Sequence, residues 1–387
     1  VAIPAEGQPP AAPAELLLGG AGAASARPPI ERWQRVYLLA AAVIVVLAAM
    51  APSLRAARYA PRTTVFTDVG QPQIVPATRP QVARWTGNAS LPEPRSRLAL
   101  VAVEDPLQRV NSRLYAIGGE TATTVTGQVT IYDIEKNTWS SGSTKPTAVA
   151  NVAGALLGDR IYVPGGTTAD GSVTNVLEVY DVGADRWEAR AILPVPLSAY
   201  ALAAVDGKLY LFGGWDGRSY RAEAYVYDPA QDGWTVITPM PKPRGFAAAT
   251  ALGGVIYVVG GFDGERELAT VDVYDPAGEG SPAGPWSGKA PLSQPRGGLG
   301  LAAVGTQLYA IGGGWTVPLA FNEQYDVQTG AWSRIETPVV GEWRNLGVAA
   351  FGQQVYAVGG WNGTYLAVNE TYQALLRQLL PFGSKGN

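Results

Sequence analysis

The hydrophobic pattern changes character along the 387 residues of the chain. Residues 36–54, VYLLAAAVIVVLAAMAPSL, carry no charge and are almost wholly apolar as far as Ala51. As a helix this stretch would rise about 28 Å, close to the hydrocarbon thickness of a bilayer. Trp33 and Tyr37 stand at one end, where interfacial aromatics belong. The pattern predicts a transmembrane helix over 36–54. A cleaved signal peptide is the competing reading, because Ala49-Met50-Ala51 resembles a cleavage site, although Pro52 directly after the cut disfavours it. Arg27, Arg32 and Arg35 precede the helix and Arg55, Arg58 and Arg62 follow it, so flanking charge does not orient it. An N-terminal signal anchor would place the following domain on the extracytoplasmic side as a single-pass membrane protein. Residues 1–35, rich in Ala, Pro and Gly, predict a disordered tail. Residues 55–84, with Pro61, Pro72, Pro76 and Pro80, predict an extended Pro-rich linker.

Beyond residue 84 the pattern becomes short apolar or alternating runs bounded by Gly and Pro, the signature of strands. The run around Val255–Val259 is continuously apolar, as in a strand covered on both faces. Val271 and Val273 alternate with Asp272 and Tyr274 in the next run. With Phe246–Leu252 before them and Trp286–Ala290 after, these predict a unit of four short strands.

The unit repeats. An aliphatic-Tyr-x-x-Gly-Gly string occurs six times, with its tyrosine at 115, 162, 210, 257, 309 and 356, at spacings of 47, 48, 47, 52 and 47. Tyr-Asp follows at Tyr132, Tyr180, Tyr227, Tyr274 and Tyr325, and Tyr372 precedes Gln373 in the sixth copy. Trp139, Trp187, Trp234, Trp286 and Trp332 form a third mark. The longer fourth interval is absorbed by residues 277–284, between the third and fourth strands.

These marks in this order resemble the kelch repeat over residues 85–375, leaving 376–387 as a C-terminal tail. The resemblance implies an all-β fold: a six-bladed β-propeller with one four-stranded blade per repeat. The sixth unit lacks its Trp, whereas Trp85 precedes the first unit without an owner. Trp85 is spaced from Arg95 as Trp234 is from Arg244 and Trp286 from Arg296. An N-terminal strand at Trp85 is therefore expected to close blade six, with the apolar segment 374–382 as its competitor. The recurrent tyrosines and tryptophans are expected in the core.

Strand parity puts the loops from strand four to the next strand one on the same face as the loops between strands two and three. The first set carries Arg95, Arg244, Arg296 and Arg344, with Trp343 beside the last. The second carries Trp215, Phe262, Trp315 and Trp361. Arg forks and large aromatics are enriched at binding hot spots, so these nine residues are the candidate binding face. The competing reading is that they cap neighbouring blades, with the arginines paired to Asp216, Asp263 or Glu265. The connections at Lys145-Pro146 and Pro196-Leu197 lack the Arg, which predicts a lopsided basic arc. Acidic peptides meet loop arginines at this place in some kelch domains, which is what the resemblance implies for Arg244, Arg296 and Arg344.

Composition narrows the chemistry. The chain has no Cys and no His, which removes thiolate and imidazole metal sites, Cys nucleophiles and the Ser-His-Asp triad. The copper-radical oxidases of the kelch fold need both residues. No catalytic residue, metal ligand or cofactor is assigned, and Glu265 and Glu267 are read as surface charges. From residue 85 the chain holds 21 Lys+Arg against 28 Asp+Glu, so nucleic acid is not an expected partner. The expected function is that of a membrane-anchored binding module for a protein, acidic peptide or glycan, or an accessory subunit of a membrane complex. An enzyme of sugar or glycan metabolism on the same propeller stays open as the alternative.

Overall fold

The computed structural model of the protein describes residues 84–104, 112–339 and 341–375. The expected tail 1–35, helix 36–54, linker up to residue 83 and C-terminal tail 376–387 lie outside the described residues. Among those described, no helix is long and apolar enough to cross a membrane.

A short strand, β1 (Trp85–Gly87), precedes the first complete blade. Blade one is β2 (Ala99–Val103), β3 (Arg113–Ile117), β4 (Val129–Asp133) and β5 (Thr138–Gly142). Blade two is β6 (Ala155–Leu157), β7 (Arg160–Pro164), β8 (Leu177–Asp181) and β9 (Arg186–Arg190). Blade three is β10 (Ala201–Val205), β11 (Lys208–Trp215), β12 (Tyr220–Asp228) and β13 (Gly233–Ile237). Blade four is β14 (Ala248–Leu252), β15 (Val255–Val259), β16 (Val271–Tyr274) and β17 (Trp286–Lys289). Blade five is β18 (Leu299–Val304), β19 (Gln307–Gly312), β20 (Asn322–Asp326) and β21 (Ala331–Ile335). Blade six is β22 (Gly347–Phe351), β23 (Gln354–Val358), β24 (Asn369–Gln373) and, last, β1. Every neighbouring pair is antiparallel, and the first strands of successive blades touch in a closed cycle around the centre.

The repeated marks explain this order. Each strand-two apolar run is buried, and each fourth-strand Trp lies against the third-strand Tyr of its own blade, with centroids 4.9–5.1 Å apart. Such a ring pair fills the wedge that opens between blades towards the rim. The indole N–H then donates to a backbone carbonyl of the preceding blade, as from Trp139 to Ala89, Trp187 to Ser143 and Trp234 to Ala191.

Trp85 completes the series. It pairs in register with Tyr372, lies 5.0 Å from that ring, and donates to the Glu336 carbonyl of blade five at 2.9 Å. The N-terminal strand therefore closes the propeller and covers the edge of β24, which would otherwise be open for pairing with another chain. Ala374, the first residue of the competing segment, instead turns back to Gln353.

The glycine pairs end strand two for a steric reason. Gly118 and Gly119 have φ of 64° and 101°. A Cβ on them would lie 2.6 Å from the Val149 carbonyl and 2.7 Å from that of Ser96, so no side chain fits. The 277–284 insertion holds a single 3-10 turn, Pro276–Gly278, whose end delivers Glu279. Glu279 accepts from the Tyr274 hydroxyl at 2.7 Å and from the Thr238 amide at 2.9 Å. Asp232 makes the same tie to Tyr227 and Ala191 in blade three.

Candidate functional site

The two loop sets share one face, as strand parity requires: Ser96 bridges to Glu120, Gly245 to Phe262 and Arg344 to Trp361. At the centre of this face six residues, one per blade, surround the mouth of a channel of about 160 Å³. They are Arg97, Asn151, Ala199, Phe246, Gly298 and Asn345, all with φ between 52° and 66°.

Each amide of this set donates to the carbonyl of the equivalent residue in the preceding blade. Asn151 donates to Arg97 at 2.9 Å, Ala199 to Asn151 at 2.7 Å, Phe246 to Ala199 at 2.7 Å and Gly298 to Phe246 at 2.9 Å. Asn345 donates to Gly298 at 2.7 Å, and Arg97 closes the cycle by donating to Asn345 at 2.7 Å. The left-handed backbone turns each amide towards its neighbour. Asn and Gly accept that conformation readily, whereas Arg97, Ala199 and Phe246 hold it at a cost of about 1–2 kcal/mol each.

The arginines expected to face a ligand do something else. Arg95, Arg244 and Arg296 are 0–1% exposed. The Arg296 backbone carbonyl accepts from Gly261 of blade four at 2.9 Å, and its guanidinium donates to the Gly312 carbonyl of blade five at 3.0 Å. It also pairs with Glu323 at 2.6 Å. Arg244 joins Gly214 of blade three to Gly260 and Asp272 of blade four in the same way. Arg95 joins Gly360 of blade six to Gly118, Gln128 and Thr130 of blade one.

Trp343 occupies the equivalent position in blade six, 2% exposed, with its indole donating to Gly359 at 2.9 Å. Arg95, Arg244, Arg296 and Trp343 are thus corrected from ligand contacts to interblade staples. Each sits two residues before the mouth position and points into the blade seam. Nor do the three buried arginines pair with Asp216, Asp263 or Glu265, whose loops they do not reach. Lys145 supplies the staple where blade two has Val149, and it is buried against Glu178.

Trp215 is 6% exposed and packs on Tyr220 at 4.9 Å, so it too is corrected, from a ligand contact to a buried support beneath Tyr220. Phe262 and Trp315 are half-buried and join it in one aromatic arc over blades three to five. Tyr220 meets Phe262 at 5.5 Å, Phe262 meets Trp315 at 5.3 Å, and Trp315 meets Phe246 at 4.7 Å. Trp361 and Arg344 lie apart, over blade six: Trp361 against Tyr365 at 4.9 Å, Arg344 beside Glu342 at 3.7 Å. Arg97 faces the arc from the opposite side of the mouth and pairs with Glu120 at 2.7 Å.

A family model described as the KLHDC2/KLHL20/DRC7 Kelch-repeats domain matches residues 77–240 and 155–360, together more than half the chain. The chain belongs to the kelch-repeat family. Among solved structures, one titled "Structure of YjhT" resembles the kelch propeller with a TM-score of 0.61 at 15% identity. The match covers 73% of this chain and 95% of that one, and at that identity the likeness is one of fold. No curated protein matches the chain.

Three residues of this kelch face escape a reading from sequence. Phe246 and Tyr220 belong to the aromatic arc, and the usable signal was Asn151, Gly298 and Asn345, three residues tolerant of positive φ, in register with Phe246. Glu267 is the third, and the surface reading of it is corrected: it is 7% exposed. Its carboxylate accepts from the amides of Gly297 at 2.7 Å, Trp315 at 2.9 Å and Thr316 at 2.9 Å. It therefore fixes the loop that presents Trp315.

Glu370 stands in blade six where blades four and five have Asp272 and Glu323, but the staple position there is Trp343. Burial raises the Glu370 carboxyl above its ordinary range. The folded state then binds more protons than the unfolded state between the two pKa values, so stability falls as pH rises through that interval. Glu370→Gln is expected to raise the melting temperature at pH 7 and to leave it nearly unchanged at pH 3.5. An equal difference at both values would show that ionisation of Glu370 is not the cause.

Proposed function

We propose that the propeller is an interaction module that recognises a protein or glycan partner on the face around the channel mouth. The observation that carries this reading is the contiguous arc of Tyr220, Phe246, Phe262 and Trp315, only half-buried although each ring touches another. Rigid aromatics beside a polar group are the usual anchors of an interface. Arg97, Asn151 and Asn345 supply hydrogen-bonding groups across the mouth. The alternative, an enzyme acting on a sugar, has less support, because among the described residues no carboxylate lines the channel for acid–base work.

We also propose that residues 36–54 tether the module to a membrane, with the propeller on the extracytoplasmic side as an accessory subunit of a larger complex. This part rests on the uncharged apolar run alone.

One preparation tests both parts. The full chain purified in mild detergent should retain partner proteins or bind members of a glycan array. Phe262→Ala with Trp315→Ala should weaken that binding at least tenfold, about 1.4 kcal/mol or more, with circular dichroism unchanged. Undiminished binding moves the site off this face. Full-length chain released from membranes by carbonate overturns the tether and leaves the binding face standing.

A further inference from the structure

The internal repeat isolates one buried cation from its fellows. Of the four cationic staples, Lys145 contacts Glu178, Arg244 contacts Asp272 and Arg296 contacts Glu323, each carboxylate coming from the third strand of the blade that follows. Each of these carboxylates stands two residues before the third-strand tyrosine. In blade one that place is Thr130, two residues before Tyr132, and its hydroxyl accepts from Arg95 Nη2 at 2.6 Å. Among the described residues no carboxylate lies within ion-pair distance of Arg95. Burial lowers its guanidinium to about 10, partly offset by the charge of Glu93.

The same place opens into space. A groove of about 400 Å³ runs over Gln128, Thr130 and Ser141, walled by Trp139, Thr144 and Glu93. Thr130 and Ser141 are cross-strand partners, so their hydroxyls share the face of the sheet turned to blade six. Thr130 thus stands between a buried cation that no carboxylate contacts, its charge offset only in part by Glu93, and a solvent-open groove that carries the hydroxyls of Thr130, Ser141 and Thr144.

We propose that this groove between blades six and one is a second binding site, separate from the channel mouth, for a carboxylate group. Rotation of Thr130 about χ1 admits the carboxylate to Arg95 Nη2, where it takes the role that Asp272 and Glu323 play in blades four and five. Thr144 and Ser141, whose hydroxyls line the same groove, would donate to its second oxygen. Leaving one member of a buried pair without its contacting partner is costly, and a carboxylate brought to Arg95 completes the contact that Glu93 does not make. The carboxylate comes from a small organic acid or from an acidic side chain of a polypeptide. Glu93, on the groove wall, repels it and limits affinity to the weak range.

Two probes separate the sources: sodium acetate, and a capped hexaglutamate peptide with capped hexaglutamine as its control. Acetate is expected to raise the melting temperature of the full chain saturably, beyond chloride at equal ionic strength. Hexaglutamate binding without an acetate effect assigns the site to polypeptides, and the reverse to small acids. Thr130→Asp supplies the missing carboxylate internally, so it should raise the melting temperature in chloride and weaken either probe at least tenfold. Glu93→Gln should tighten binding about threefold, and it keeps the test decisive if Thr130→Asp folds poorly. No response to either probe beyond its control overturns the site. So does a response that survives in Thr130→Asp, or one that Glu93→Gln leaves unchanged.

Discussion

Deleting residues 84–92 is expected to destabilise the whole propeller by roughly 5 kcal/mol and to drive it into aggregates. The deletion removes Trp85 from its contacts with Tyr372 and Trp343 and breaks the bond to Glu336. It also removes Leu91, which is 2% exposed, and the Ala89 carbonyl that receives the Trp139 indole. A fully buried Leu contributes about 1.5–3 kcal/mol, and the aromatic contacts about 0.5–1.5 kcal/mol each beyond their area. The loss then leaves the N–H and C=O groups of β24 open to another chain. Thermal melting and light scattering on the truncated chain check this. An unchanged midpoint in monomeric protein would mean that the β1 pairing contributes little to closure.

Arg296→Met is expected to cost about 3–5 kcal/mol, because it leaves Glu323 charged and without its cation in a seam where both are 0–1% exposed. Much of that loss should return in the double variant Arg296→Met with Glu323→Leu, since an apolar pair of similar volume can replace a buried ion pair at small net cost. Denaturant unfolding of the four proteins gives the coupling directly. Additive losses would show that the staple acts through Gly312 and the backbone alone. Because Arg296 does not reach the mouth, partner binding by the surviving folded fraction should be unaffected.

The fold was legible because its marks are steric and periodic. The glycine pairs, Tyr115 and its counterparts, and the spacing that assigned Trp85 to the last blade each record a packing requirement that recurs once per blade. The site was less legible because Arg244 and Phe246 are two residues apart and sequence order does not say which one points into the seam. Charge favoured Arg244 as the exposed group. In the structure the positive φ at Phe246 turns its ring to the mouth, and Arg244 is drawn inward by Asp272. Glu267 was misread for a related reason: its three amide donors come from the next blade, and proximity across blades leaves no trace in local sequence.

The hydrogen-bonded cycle at the channel mouth has a consequence for how specificity can change. Every amide in it is already engaged and every carbonyl already accepts one hydrogen bond, so the main chain offers an incoming molecule no donor there and at most the second lone pair of each carbonyl. Selectivity must reside in what the six positions display, at a radius set by the number of blades. The rim behaves as a socket of constant gauge with interchangeable fittings. Exchanging Phe246 for Asn, the residue already tolerated at 151 and 345, would alter what the socket grips without altering its bore.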